Sequence, residues 1–149
     1  MKSVITYLRF RMALWLWARL VPVLAWRSDV VTLLRRVASG TSTPYRGLPA
    51  ELIAYRARRA VRRPCVMADR RCLREGVLAD RFLRLAGYRP ELHFGVERES
   101  VAQETLKAHC WVVLDNVVLL NAPRAAMVEV LVRDNNAQVR LPTKAVPIA

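Results

Sequence analysis

Acidic side chains are scarce in this 149-residue chain: 12 Asp and Glu stand against 25 Lys and Arg, for a net charge of +13. The shortage is local. Residues 1–75 hold 16 basic and 4 acidic side chains, while residues 76–149 hold 9 and 8. A basic front half is suited to an anionic partner such as an acidic peptide, a carrier protein or lipid headgroups, or it carries arginine on solvated helix faces. No recognition motif or aromatic platform accompanies the charge, so nucleic acid is not an expected partner. Cysteine is sparse too. Cys65, Cys72 and Cys110 are odd in number and irregularly spaced, which excludes a disulfide framework and fits a reducing compartment. With two histidines and no CxxC pair, no metal site is expected, and no cofactor. Long apolar runs are also missing. Arg19 interrupts Met12–Trp26, leaving it too broken for a membrane span of about 20 residues and without the core and cleavage site of a signal peptide. A cytoplasmic location is expected, with peripheral membrane contact through the N-terminal helix left open.

What the chain does have is a hydrophobic fraction of 54%, enough for one packed domain with a helical extension. The expected division is a basic helical region over residues 1–48 and a core over 49–149. A first helix is expected over Val4–Leu20, with Leu8, Met12, Trp15 and Arg19 on one stripe and Pro22 as the interruption. A second should cover Ser28–Val37, Ser28 capping it and Asp29 in its first turn. A third runs from Pro49 to Arg63, stopped by Pro64. In the fourth, Asp69 is the expected N-cap. Leu73, Val77, Leu78, Phe82, Leu83 and Leu85 give Arg71–Ala86 a helical apolar stripe, and Gly87 ends it. Beyond Gly87 the period becomes two. Strands are expected over Glu91–Val96, Ala108–Leu114, Val117–Asn121, Met127–Arg133 and Gln138–Leu141, with a tight turn at Asp115-Asn116 and a loose tail from Pro142. Helices followed by an antiparallel meander define an α+β class, the fourth helix packed on the sheet.

Cys72 falls in the first turn of that fourth helix. Backbone N–H groups and the helix dipole there favour a thiolate, and Arg70, Arg71 and Arg74 are expected to deepen the positive field and to meet substrate or partner. A cysteine is more often simply buried, but His109, in the strand AHCW, supplies a base. Strand alternation puts His109 and Trp111 on one face, Trp111 being the expected apolar shield. His93 ranks second as base because its strand shows no comparable neighbour. A third, orienting residue is needed. Asp115 shares the face of His109 but lies about 20 Å along the strand. Asn121 returns on the partner strand and is favoured. A plain two-residue turn pairs Asn121 with Cys110, on the wrong face; a three-residue loop or one bulge would pair it with Trp111, diagonally near His109.

The segment RRCLREGVLADRFLRLAGYRPELHFGV, then AHCW and a short hairpin, resembles the lasso peptide biosynthesis B2 protein family, itself similar to the transglutaminase core. The likeness covers about residues 60–122. It implies a cysteine peptidase that removes the leader from a ribosomally made precursor peptide, with Cys72 as nucleophile, His109 as base and the third position near Asn121. It also implies partners: the precursor, a small leader-binding protein (a RiPP recognition element) and an ATP-dependent lasso cyclase. The chain departs from that family where Glu75-Gly76 replaces Arg-Ser, where Cys110 replaces the small residue of HAW, and where Val113 replaces an acid. Acyl transfer to an amine, as in a true transglutaminase, and a basic adaptor with a degenerate site are the alternative readings.

Overall fold

The computed structural model describes residues 2–38, 40, 42–62, 67–102, 107–123 and 126–141. Arg63, Pro64, Cys65 and the tail from Pro142, for which expectations were stated, lie outside the described residues. The elements run α1 (Lys2–Trp26), α2 (Val30–Arg36), α3 (Ala50–Ala60), α4 (Arg71–Leu85), β1 (Glu91–Glu97), β2 (Ala108–Leu114), β3 (Val117–Leu120), β4 (Met127–Arg133) and β5 (Val139–Arg140). The architecture is α+β, as the change of period implies: helices first, then an antiparallel sheet.

The first helix departs from expectation twice. It runs through Pro22 to Trp26 instead of stopping near Leu20. Proline has no N–H, so the carbonyl of Ala18 loses its partner one turn back. The buried Arg74 supplies the replacement, donating from Nη2 to Ala18 O at 2.9 Å and from Nη1 to Val61 O at 3.3 Å. The second departure is orientation. Phe10, Leu14, Ala18, Val21 and Ala25 form the buried stripe, whereas Leu8, Met12 and Trp15 face outward. Phe10 meets Phe82 edge-on, with centroids 5.4 Å apart and planes at 81°, a contact that adds about 1 kcal/mol to the burial itself. In α2 the N-cap is Asp29, not Ser28. Its carboxylate accepts from Thr32 N at 2.8 Å, while Ser28 Oγ accepts from Arg36.

The fourth helix follows the sequence pattern except at its start. Asp69 belongs to a 3₁₀ turn over Ala68–Arg70, and α4 begins with Arg70 at the cap position and no side-chain cap. Its end is a Schellman stop: Tyr88 N donates to Leu83 O and Gly87 N to Arg84 O, with Gly87 at φ +93°. Buried Val77, Leu78, Phe82 and Leu83 hold it in the core. Gly76 lets it approach β2, because a Cβ there would lie 2.5 Å from Cys110 Sγ.

The sheet order is β3-β2-β1-β4-β5, all neighbours antiparallel. This corrects the expected meander. After β3 the chain does not add the next strand beside it but crosses to pair β4 with β1. Asn121, left-handed at φ +57°, turns the chain off the sheet after β3. The β2–β3 turn is the expected two-residue type, with Asp115 at φ +50° and Asn116 at φ +65°. A buried ion cluster fixes the far side. Asp80 on α4 accepts from Arg84 Nε at 2.9 Å and from Arg133 Nη1 of β4 at 2.5 Å. Burial pushes the Asp80 carboxyl up, and the two guanidiniums pull against it.

Candidate active site

The site lies where β3 ends and β2 continues paired with β1 only. The pairing runs Leu114↔Val117 and Val113↔Val118, then slips to Val112↔Leu120. The slip is a one-residue bulge, one of the two devices that the parity argument allowed, and continuing it sets Asn121 opposite Trp111.

Asn121 touches both reactive candidates. Its backbone carbonyl accepts from His109 Nε2 at 2.9 Å. Its side-chain amide donates to the carbonyl of Cys72 at 3.4 Å. The expected role is therefore corrected in detail: the main chain of Asn121 orients the imidazole, and its side chain holds the start of α4. A carbonyl only accepts, so Nε2 of His109 carries the proton. In the neutral ring Nδ1 is then the basic nitrogen. Asp115 sits in the exposed turn at the other end of the hairpin.

Cys72 occupies the first turn of α4, half-buried. The backbone N–H of Cys110, the residue after His109, acts on its thiol by favouring the charged form. No Cys72–His109 hydrogen bond is present among the described residues; the two are joined through Asn121 and the strand backbone. The expected lowering of the thiol pKa is not found. Burial pushes the Cys72 thiol up against the pull of the N–H groups of Cys110, Leu73 and Cys72 itself, and Glu75 adds to the rise. The expected arginine field is absent for a geometric reason. Arg71 pairs with Glu75 at 2.8 Å, Arg70 lies 3.5 Å from Asp69, and Arg74 is buried on the carbonyls of Ala18 and Val61. Arg74 is a structural residue, closed to substrate.

Trp111 is buried as a shield, but its face is turned away from α4; Cys110 and Val112 meet the helix instead. The indole lies between two imidazoles, 5.4 Å from His93 at 12° and 6.4 Å from His109 at 20°. Gly95 beneath it leaves the room, since a Cβ there would stand 3.1 Å from the ring. His93 is not the isolated residue its own strand implies. Nδ1 lies 2.5 Å from Glu129 and Nε2 lies 3.2 Å from Glu91. Glu129 arrives on β4, whose pairing with β1 is invisible in local sequence. Beside His109 opens a cleft of about 610 Å³ bounded by Arg58, Glu97, Lys107, Asn121 and Pro123. Cys72 does not line it.

A cysteine at a helix start, a strand histidine and a bridging residue on an antiparallel hairpin suit acyl-group chemistry through a thiol. The family model of the transglutaminase-like superfamily matches residues 10–133. The chain belongs to the transglutaminase-like superfamily, which includes cysteine peptidases and acyltransferases. No curated protein and no solved structure matches the chain.

Proposed function

We propose that this protein is a cysteine peptidase that removes the leader from a ribosomally made lasso precursor peptide. Superfamily membership supplies the class of chemistry, and the resemblance of RRCLREG and AHCW to the B2 proteins narrows it. The observation that carries the reading is the double engagement of Asn121, with His109 Nε2 on its carbonyl and its amide on Cys72 O.

In this reading Nδ1 of His109 takes the Cys72 proton as sulfur attacks the scissile carbonyl. The imidazolium then protonates the departing amine, leaving a thioester. Water, deprotonated by the same nitrogen, releases the acid and restores the thiol. Because burial holds the resting thiol neutral, the proton moves during attack and not before it. The cleft beside His109, with Arg58 and Lys107 on its walls, would hold a part of the substrate away from the scissile bond, since Cys72 does not line it. Arg70 and Arg71, exposed at the start of α4, would meet the leader or its carrier. The proposed partners are a small leader-binding protein and the ATP-dependent cyclase that consumes the freed core.

The test mixes purified protein, leader-binding partner and precursor and follows masses. Two fragments whose sum is the precursor plus one water are expected, and none with Cys72→Ala. Unchanged cleavage by Cys72→Ala overturns the assignment. An amine adduct in place of the free acid would assign the chain to the acyltransferases.

A further inference from the structure

Among the described residues, the outer face of α1 is covered by no other element. Met12, Leu16, Val23 and Trp26 are 73, 57, 66 and 86% exposed, and Leu8 and Trp15 are more than half exposed. At about 100° per residue they fall within about one-third of the helix circumference, so they form one stripe. It lies roughly opposite the buried stripe of Phe10, Leu14, Ala18, Val21 and Ala25. Soluble monomers seldom leave so continuous an apolar surface uncovered.

Charge identifies the occupant. The helix holds Lys2, Arg9, Arg11 and Arg19 and no Asp or Glu. At about 100° per residue, Arg9 and the following Arg27 flank one side of the stripe and Arg11 the other. Arg19 falls inside it, where its guanidinium lies 3.6 Å over the Trp15 ring and donates to Trp15 O at 3.1 Å. Both faces of α1 are apolar, so it is not a free amphipathic helix; with the inner face docked on the core, what it shows to solvent is an apolar stripe edged by cations, with tryptophans at its middle and end, which suits a membrane interface. A groove on another protein would demand no such uniform sign of charge. No described helix is long and apolar enough to cross a membrane, so the geometry is in-plane. We infer that α1 binds flat on an anionic lipid surface through Met12, Leu16, Val23 and Trp26, its other face remaining docked on the core. The inference stands independently of the peptidase reading.

The test is flotation of the full chain with vesicles of phosphatidylcholine alone or with about one-third phosphatidylglycerol, tracked by tryptophan emission. At least about tenfold stronger partition onto the anionic vesicles is expected, with a blue shift, and both should fade with salt. The triple variant Met12→Glu/Leu16→Glu/Val23→Glu should lose binding about tenfold or more while keeping its circular dichroism. Arg11→Gln/Arg27→Gln should lose about fivefold per charge, which decides the matter if the triple variant does not fold. Equal partition onto neutral vesicles, or undiminished binding by both variants, overturns the inference. So does light scattering that shows a dimer split by the triple variant while vesicles stay unbound, which would assign the face to a second copy of the chain.

Discussion

Arg74 donates to the carbonyl of Ala18 across the gap that Pro22 leaves in α1. One residue thereby repairs a helix broken by proline and ties it to the helix that carries Cys72. Arg74→Ala leaves the Ala18 and Val61 carbonyls without that donor and should destabilise the fold by about 3 kcal/mol. Pro22→Ala restores an N–H to Ala18 and should recover about 1 kcal/mol of that loss. A double-mutant cycle by urea denaturation checks this; strict additivity of the two changes would remove the link.

Gly76 and Cys110 are in contact, and the missing side chain on the helix makes room for the thiol on the strand. Gly76→Ala should cost about 2 kcal/mol by overpacking, because its Cβ would stand 2.5 Å from Cys110 Sγ and 3.0 Å from Leu92. Adding Cys110→Ala should restore most of it, read as melting temperature. If the double variant is no more stable than Gly76→Ala, the contact is not the cause.

The pH dependence of Cys72 follows from its burial. A thiol held above its ordinary value of 9.0 is protonated at neutral pH, so alkylation by iodoacetamide should rise about tenfold per pH unit and still be climbing at pH 9. The folded state then holds this proton more tightly than the unfolded chain, so the stability it contributes is present below about pH 9 and is lost above. Peptide mapping separates Cys72 from Cys110, which burial pushes up much further. A plateau reached below pH 8 would mean a pre-formed thiolate–imidazolium pair.

Asn121 offers its backbone to His109 and its side chain to Cys72. Asn121→Gly keeps the carbonyl and the left-handed φ of +57°, so cleavage should remain within about tenfold of the parent, whereas His109→Ala should lose about a hundredfold or more. A loss with Asn121→Gly as large as that with His109→Ala would return the orienting role to the side-chain amide.

Local patterns carried the elements nearest the chemistry. The apolar period of Arg71–Leu85, the Gly87 stop and the positive-φ pair Asp115-Asn116 are written in contiguous residues, and placing Asn121 near His109 implied an extra residue in the β2–β3 connection, as a bulge or a longer loop. Features that depend on distant contacts were not legible. Both faces of α1 are apolar, so periodicity could not choose which one is buried. Arginine ordinarily faces water, so nothing local marked Arg74 as the replacement donor for a proline-broken turn. Glu129 reaches His93 only because β4 crosses to β1. The rise in the Cys72 thiol comes from packing that a helix-terminus argument does not contain.

The bulge within β3 also bears on which mutations this protein can survive. Leu119 is the extra residue, between Val118 opposite Val113 and Leu120 opposite Val112. Loss of the Leu119 codon would close the bulge into a plain two-residue hairpin and leave Asn121 opposite Trp111, whereas a point change that expelled the bulge at constant length would shift Asn121 onto Cys110. Among related chains, a one-residue deletion in this hairpin should therefore coincide with loss of the bulge.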